Sequence, residues 1–366
     1  MNRAYIGNVK LIMKNVLYIS NIEVPYRVRF FNEFSKHCNL TVIYTRKKST
    51  SRNSEWASSV EGRYQSFFLN GIKIGTEDSF SFKIIKYIFS KKYDCVILGC
   101  CNSLVQMFAI LLMRLFKKPY ILNIEGEMFF EGNSLKAKMK RFFIKGAKKY
   151  VTAGEKSAES LRTVVGKKPI IPYYFSSMSD EELKNNASRQ AQRGTDVLIV
   201  GQYLYVKGLD VVLEAAKLDN SISYKIVGMG SRTQQFIEDC DADKLENVEL
   251  IPFLQKKELE EEYLKCALFV LPSRQECWGL VINEAASFGI PIVSTIGSGA
   301  AVEFLANEYP QYLATVGDSR DLYEKIKLAL NDENKEEYSE FLKIKGLKYS
   351  IERSVEAHCR ACDICD

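Results

Sequence analysis

The sequence predicts an α/β protein built from two doubly wound, Rossmann-like domains that face each other across a cleft. Three observations lead there. Short apolar runs alternate with segments of helical period, once over residues 14–179 and again from residue 196, and such alternation marks a parallel sheet covered on both faces. A polar stretch without a clean period, residues 176–195, separates the two series and suits a linker. A chain of 366 residues with 46% hydrophobic content is also long enough for two cores rather than one.

Taken in order, residues 1–13 read as a flexible extension before the first strand. Residues 15–20 (NVLYIS) form that strand, a helical spacing follows Pro25, and residues 40–44 (LTVIY) form a second strand. Strands at 95–99 and 120–124 alternate with helices near 103–116 and 135–149. This first domain spans 14–179, and 180–195 is the linker. The second domain, 196–340, opens with a strand at 196–201 and a helix through 208–217, followed by a strand at 224–227. A strand at 248–253, a helix to 266, a strand at 268–271, a helix through 281–288 and a strand at 290–295 continue it. Residues 341–366 read as a C-terminal helix that packs back on the first domain.

Net charge is +6, yet the halves differ: residues 1–179 hold 30 Lys and Arg against 12 Asp and Glu, while residues 180–366 hold 21 against 33. The basic half suits an anionic partner, whether lipid head groups, phosphates or nucleic acid; a merely solvated basic surface is the alternative. The ten Cys lack disulfide-type spacing, and Arg3, Lys10 and Lys14 interrupt any leader-like apolar stretch, so a reducing cytoplasm is the expected compartment. The most apolar run, 104–116, carries Gln106 and Arg114 and is shorter than the roughly 20 residues a spanning helix needs, so it reads as a core helix.

The most informative segment runs LPSRQECWGLVINE over residues 271–284. A strand ends at Leu271, Pro272 breaks it, and Gly279 precedes a helix whose first N–H groups suit a diphosphate. Glu276 lies in the loop and Glu284 in the first turns of the helix, and a carboxylate can accept two hydrogen bonds from sugar hydroxyls. Two glutamates eight apart also occur as a helix-start acid beside a solvated one. The other strand ends weigh against that. GQYLYVKG over 201–208 offers a single Lys between two Gly, Gly228-Met-Gly230 closes the next strand, and Gly297-Ser-Gly299 closes a later one.

From residue 196 to 303 the chain resembles the donor domain of retaining glycosyltransferases of family four, which have the GT-B fold. The matching features are Lys207-Gly208, Pro272-Ser273, the Glu-x7-Glu pair Glu276 and Glu284, and the turn from Gly299 to Glu303. Residues 19–33 (ISNIEVPYRVRFFNE) are similar to one bacterial branch of the family. The resemblance implies that Lys207 and Glu276 are catalytic, Lys207 holding the donor diphosphate and Glu276 the donor sugar. It implies that Glu284 binds the ribose, that the backbone around Gly279, Leu280 and Val281 cradles phosphate, and that Phe253 lies in the base-contacting loop. Gln202, Gly208, Ser273, Cys277 and Trp278 complete the implied donor set. The implied reaction retains anomeric configuration by front-side attack, with the leaving phosphate taking the acceptor proton and the protein supplying position and charge. A UDP-sugar donor, a glycan or lipid-linked acceptor, and a role in bacterial surface polysaccharide or lipopolysaccharide synthesis follow from the same resemblance. No metal, cofactor or nucleic-acid partner is expected.

The chain departs from the pattern at three places. The family's turn arginine is Gln202 here, which leaves Lys207 and the helix dipole to stabilise the leaving group. The family's first-domain histidine has no counterpart, because His37 and His358 fall elsewhere; Glu125 or Glu127 in the loop Asn123-Ile-Glu-Gly-Glu127 stands in that place, with a structural role as the alternative. The first strand–loop lacks a glycine pair and carries Asn21 to Arg27 instead, making Arg27 a further acceptor-side candidate. Rival readings are a non-catalytic nucleotide-sugar-binding protein and a sugar-nucleotide epimerase of the same fold. The cysteines of His358-Cys359-Arg-Ala-Cys362-Asp-Ile-Cys365 read as ordinary thiols on a terminal helix rather than a metal site.

Residues 135–150 (LKAKMKRFFIKGAKKY) carry seven Lys and Arg and no acid, with Leu135, Met139, Phe142, Phe143 and Gly146 on one helical face. A basic amphipathic helix of this kind can lie in an anionic head-group region, with Lys138, Arg141, Phe142, Phe143, Lys145 and Lys148 as contacts. The alternative is that its apolar face packs on the sheet.

Overall fold

A computed structural model describes residues 13–46, 61–74, 78–99, 101, 103–125, 134–194 and 196–364. The extension at 1–12 and Glu127 lie outside the described residues. The chain divides into two compact units: Met1–Tyr173 with Ile351–Asp366, and Tyr174–Ser350.

In the first unit, β1 (Asn15–Ser20), β2 (Asn39–Tyr44), β3 (Gln65–Phe68), β6 (Cys95–Leu98), β7 (Ile121–Ile124), β8 (Lys149–Ala153) and β9 (Ile170–Tyr173) form one parallel sheet, while β4 (Ile72–Ile74) and β5 (Asp78–Phe80) pair as a short antiparallel ribbon. The sheet order is β3-β2-β1-β6-β7-β8-β9. Val16 to Ile19 and Val96 to Leu98 are buried on both faces, as the strands of a covered parallel sheet must be. The helix Leu104–Leu115 begins at Ser103, whose hydroxyl accepts from the Gln106 N–H, and packs Val105, Ala109, Ile110 and Met113 into the core.

The segment expected as one helix to residue 149 is two elements. The helix Leu135–Ile144 starts at the Ser134 cap and ends there, and Lys149–Ala153 is β8, with Tyr150, Val151 and Thr152 in register with both β7 and β9. β-Branched and aromatic residues favour the pleated surface over another helical turn. The expected apolar stripe divides as well. Phe143 and Ile144 are buried in the sheet core, so Phe143 is no surface contact, whereas Leu135, Met139 and Phe142 are exposed.

The last helix, Ile351–Ala361, belongs to the first unit. His358 on it is fully buried among Phe30, Phe34, Tyr18 and Tyr173, and its Nδ1–H donates to the Ser354 carbonyl at 2.7 Å. Burial holds this imidazole down to about 3. Lys14 donates to the carbonyls of Cys362 and Asp363, and the Cys95 thiol donates to Cys362 Sγ at 3.2 Å, so thiols and backbone fasten the helix end to the sheet.

The second unit holds a six-stranded parallel sheet of order β12-β11-β10-β13-β14-β15, from β10 (Val197–Val200), β11 (Tyr224–Val227), β12 (Val248–Ile251), β13 (Leu268–Leu271), β14 (Ile292–Thr295) and β15 (Leu313–Ala314). Two all-parallel α/β sheets are the fold class the alternation predicts. Within the stretch marked as linker, Asp180–Ser188 is a helix of this unit. Its polar run is a capping box: Ser179 Oγ accepts from the Glu182 N–H, and the Glu182 carboxylate accepts from the Ser179 N–H at 2.8 Å. Asn186 then donates to Ser287 Oγ at 2.9 Å, which fastens this helix to the one carrying Glu284. The end of the chain, expected as one helix over 341–366, is two: Lys335–Gly346 in the second unit and Ile351–Ala361 in the first.

Candidate active site

In a doubly wound sheet, ligands sit outside the carboxyl ends of the strands where the strand order reverses. In the second unit that reversal falls between β10 and β13, which pair through Val197–Leu268, Leu198–Phe269 and Ile199–Val270. The chain leaves β10 toward β11 on one side and leaves β13 toward β14 on the other. The loops after β10 and β13 therefore open side by side, although 69 residues separate Lys207 from Glu276.

Those loops are locked together by backbone. Gly208 sits in the left-handed region at φ +70°, and a Cβ there would meet the Pro272 carbonyl oxygen at 2.2 Å, so only glycine lets the two loops touch. The Arg274 and Gln275 N–H groups both donate to the Val206 carbonyl, at 2.8 and 3.2 Å. Arg274 reinforces this from its side chain. Its guanidinium donates to both Asp210 oxygens at 2.7 Å and to the Tyr205 carbonyl at 2.9 Å, and it lies 4.3 Å from the centre of the Tyr205 ring. These hydrogen bonds hold the Asp210 carboxyl below the usual carboxylate range.

The result is direct contact between two of the sequence candidates: Lys207 Nζ donates to Glu276 Oε2 as an ion pair, with both side chains about three-quarters buried. The Glu276 backbone is pinned from the loop after β14, its N–H donating to the Gly297 carbonyl at 2.9 Å and its carbonyl accepting from Gly299 at 3.2 Å. Gly279, at φ +103°, turns the chain into the helix Leu280–Ser287. Leu280 and Val281 are the first residues of that helix and are half-buried, Cys277 is exposed, and Gln202 is half-buried in the loop after β10. Ser273 is fully buried; its Oγ has no partner among the described residues, and its carbonyl accepts from Thr295 Oγ1.

Other candidates lie apart from this contact. The Trp278 side chain is in the core, its indole N–H donating to Asn283 Oδ1 at 2.9 Å and its ring 6.0 Å from that of Phe175, so only its backbone belongs to the loop. Phe253 follows β12 and is half-buried. Glu284 faces the helix Lys256–Lys265, where Tyr263 Oη donates to its Oε2 at 3.2 Å. Burial pushes the Glu284 carboxyl up to about 7, against the opposing effect of that hydrogen bond. In the first unit, Arg27 is buried and paired with Glu125, and it also donates to Tyr18 Oη at 3.3 Å, which in turn accepts from Asn123 at 2.6 Å.

Sequence reasoning missed Arg274, Asp210, Tyr205 and Tyr263. Arg274 stands one residue after Ser273 and Asp210 two after Gly208, so opposite charges flanking the two motif loops were the available signal.

Residues 180–343 match the family model of glycosyl transferases group 1. An uncharacterised glycosyltransferase of Methanocaldococcus jannaschii is 26% identical over 79% of this chain and 78% of its own length. The Campylobacter jejuni N,N'-diacetylbacillosaminyl-diphospho-undecaprenol alpha-1,3-N-acetylgalactosaminyltransferase is 27% identical over 62% of this chain and 65% of its own. Among solved structures, HepE of Anabaena, in complex with UDP and glucose, superposes with a TM-score of 0.66 at 15% identity, covering 96% of this chain and all of that one. Residues 180–343 are thus similar to group 1 glycosyl transferases, and the chain has a GT-B fold.

Proposed function

With residues 180–343 of group 1 glycosyltransferase type, we propose that this chain transfers a hexosyl or N-acetylhexosaminyl group, with retention, from a nucleotide diphosphate sugar to a glycan or lipid-linked acceptor. The observation that carries this reading is the Lys207–Glu276 ion pair at the strand-order reversal. A cation there neutralises a departing diphosphate, and a carboxylate beside it accepts hydrogen bonds from sugar hydroxyls. The half-buried setting strengthens both interactions over their value in water. Gly279 and the first turn of the following helix supply N–H groups for phosphate. The leaving phosphate takes the acceptor proton, so no protein base and no metal enter the step. HepE, in complex with UDP, supports a UDP-sugar donor, and the Campylobacter relative, named for a diphospho-undecaprenol substrate, supports a lipid-linked acceptor in surface-polysaccharide synthesis.

The test is a panel of UDP- and GDP-sugars screened by thermal shift, followed by transfer to a lipid-linked oligosaccharide with and without a chelator. At least one donor should stabilise the chain and be consumed, undiminished by chelation. Absence of binding to every member would overturn the reading.

A lipid-linked acceptor brings the enzyme to a membrane, and no helix among the described residues is long and apolar enough to cross one. We infer peripheral contact at the cytoplasmic face through the helix Leu135–Ile144. Leu135, Met139 and Phe142 are exposed on it, with Lys138 and, just past its end, Lys145 and Lys148 exposed around them. Each basic residue near an anionic surface contributes about 1 kcal/mol. Co-sedimentation with phosphatidylglycerol vesicles at low salt should occur, and should be lost when Lys138, Arg141, Lys145 and Lys148 are changed together to Gln.

A further inference from the structure

Cys95 and Cys362 stand 267 residues apart in the chain, yet their Sγ atoms lie 3.2 Å apart. Topology brings them together. Cys95 opens β6, an interior strand of the first unit's sheet between β1 and β7. Cys362 follows the helix Ile351–Ala361, its N–H donating to the His358 carbonyl at 3.0 Å. Two cations gather at the same place. Lys14 Nζ donates to the Cys362 carbonyl at 3.1 Å, and Lys149 Nζ donates to the Ala361 carbonyl at 3.1 Å and to Asp363 Oδ1 at 2.6 Å.

The two thiols are not equivalent. Cys95 is half-buried and open to a small solute, whereas Cys362 is buried. The thiolate is the reactive form of cysteine, and donors and cations around the sulfur favour it. The hydrogen bond from Cys362 lowers the Cys95 thiol against the opposing effect of burial; Lys149 and Lys14 add to the lowering and Asp363 opposes it. The same pairing, together with burial, pushes the Cys362 thiol up.

We propose that Cys95 and Cys362 are an oxidant-reactive dithiol, which hydrogen peroxide converts to a disulfide that staples the end of the chain to the first unit's sheet. The Cys95 thiolate sulfur attacks one peroxide oxygen and the O–O bond breaks. Cys95 becomes a sulfenic acid, and the departing hydroxide takes up the proton Cys95 had released and leaves as water. The Cys362 sulfur then attacks Cys95 Sγ; the S–O bond breaks, and the hydroxyl leaves as a second water with the Cys362 proton. Two thiols lose two electrons and one peroxide gains them. The sulfurs need to close by only about 1 Å to reach bonding distance, a change that side-chain torsion supplies. Because the closed loop is long, the bond restricts the unfolded chain strongly. It also holds in place the helix that carries His358.

Peroxide treatment of the reduced full chain, then alkylation of free thiols and peptide mass mapping without reductant, tests this. The expected product is a Cys95–Cys362 cross-linked peptide pair that dithiothreitol reverses. The oxidised chain should melt about 5 °C or more above the reduced one. Cys362→Ser should stop at the Cys95 sulfenic acid, trapped by dimedone, and gain no thermal stability. Should that variant not fold, limited peroxide with dimedone present should label Cys95 and leave Cys362 unlabelled in the parent. Two thiols that both still alkylate after peroxide overturn the proposal, as does Cys95 joined to any other cysteine. A Cys95–Cys362 bond that leaves the melting temperature unchanged overturns the staple.

Discussion

Arg274 and Asp210 form a two-pronged ion pair between the loop after β13 and the first turn of the helix after β10, with both nitrogen–oxygen distances 2.7 Å. Neither residue belongs to the motif positions, yet their contact sets the spacing at which Lys207 meets Glu276. Arg274→Met should therefore lower kcat/KM about tenfold, chiefly through loss of position, and cost about 1–2 kcal/mol of stability. Steady-state kinetics and a denaturant melt check this; unchanged kinetics would show that backbone contacts alone hold the loops.

Lys207→Ala should raise the transfer barrier by about 2–4 kcal/mol, the scale for removing one charge stabiliser. Glu276→Gln should lose discrimination between donor sugars as well as rate. If both variants consume donor like the parent, the assigned site is wrong.

The resemblance sets Gln202 at the family's turn arginine, so Gln202→Arg adds a charge-assisted donor to the loop that carries Lys207. Nucleotide diphosphate binding should tighten about three- to tenfold, as read by calorimetry. Weaker binding would mean that Gln202 makes a contact an arginine cannot replace.

Two buried groups give the units opposite acid responses. Glu284 has its folded value raised to about 7, so it stabilises the fold least at high pH: the unfolded chain releases this proton first as pH rises from the ordinary glutamate value. Glu284→Gln should gain on the parent from about pH 5 upward and level off at about 2–3 kcal/mol near pH 8, partial exposure being allowed for. His358 is the reverse, its value lowered to about 3, so its contribution is present above about 6.5 and is lost as pH falls. His358→Asn should flatten the decline of stability between pH 6 and 4 by about 1.4 kcal/mol per pH unit. Chemical denaturation followed across this pH range measures both slopes.

Strands buried on both faces were the legible part of the fold. β1, β11 and β13 have the bounds their apolar runs indicate, and apart from the half-buried Asn15 and Lys225 all of their residues are buried, as in a sheet covered on both faces. β3 was not legible, because Gln65 to Phe67 are exposed at the sheet edge and carry no alternation. β8 was hidden by the Lys residues on either side, which extended the helical pattern past Ile144. In the site, residue types at strand ends marked Lys207 and Glu276 as candidates. That they touch depends on which strands are neighbours, and the strand order is a property of the whole sheet. Tyr263 was invisible for the same reason: its hydroxyl reads as core until the neighbouring helix brings Glu284 to it.

The first unit is made from both ends of its chain. The helix Ile351–Ala361, which seats His358 between Phe30 and Tyr173, follows the whole second unit in sequence. A ribosome adding 5–20 residues per second therefore releases that helix on the order of ten to forty seconds after β9 has emerged. The second unit is made during that interval and receives its last residue, Ser350, just before the helix begins. For all of that time the apolar seat of His358 between Phe30 and Tyr173 waits uncovered, and it is the surface a chaperone in the cell meets.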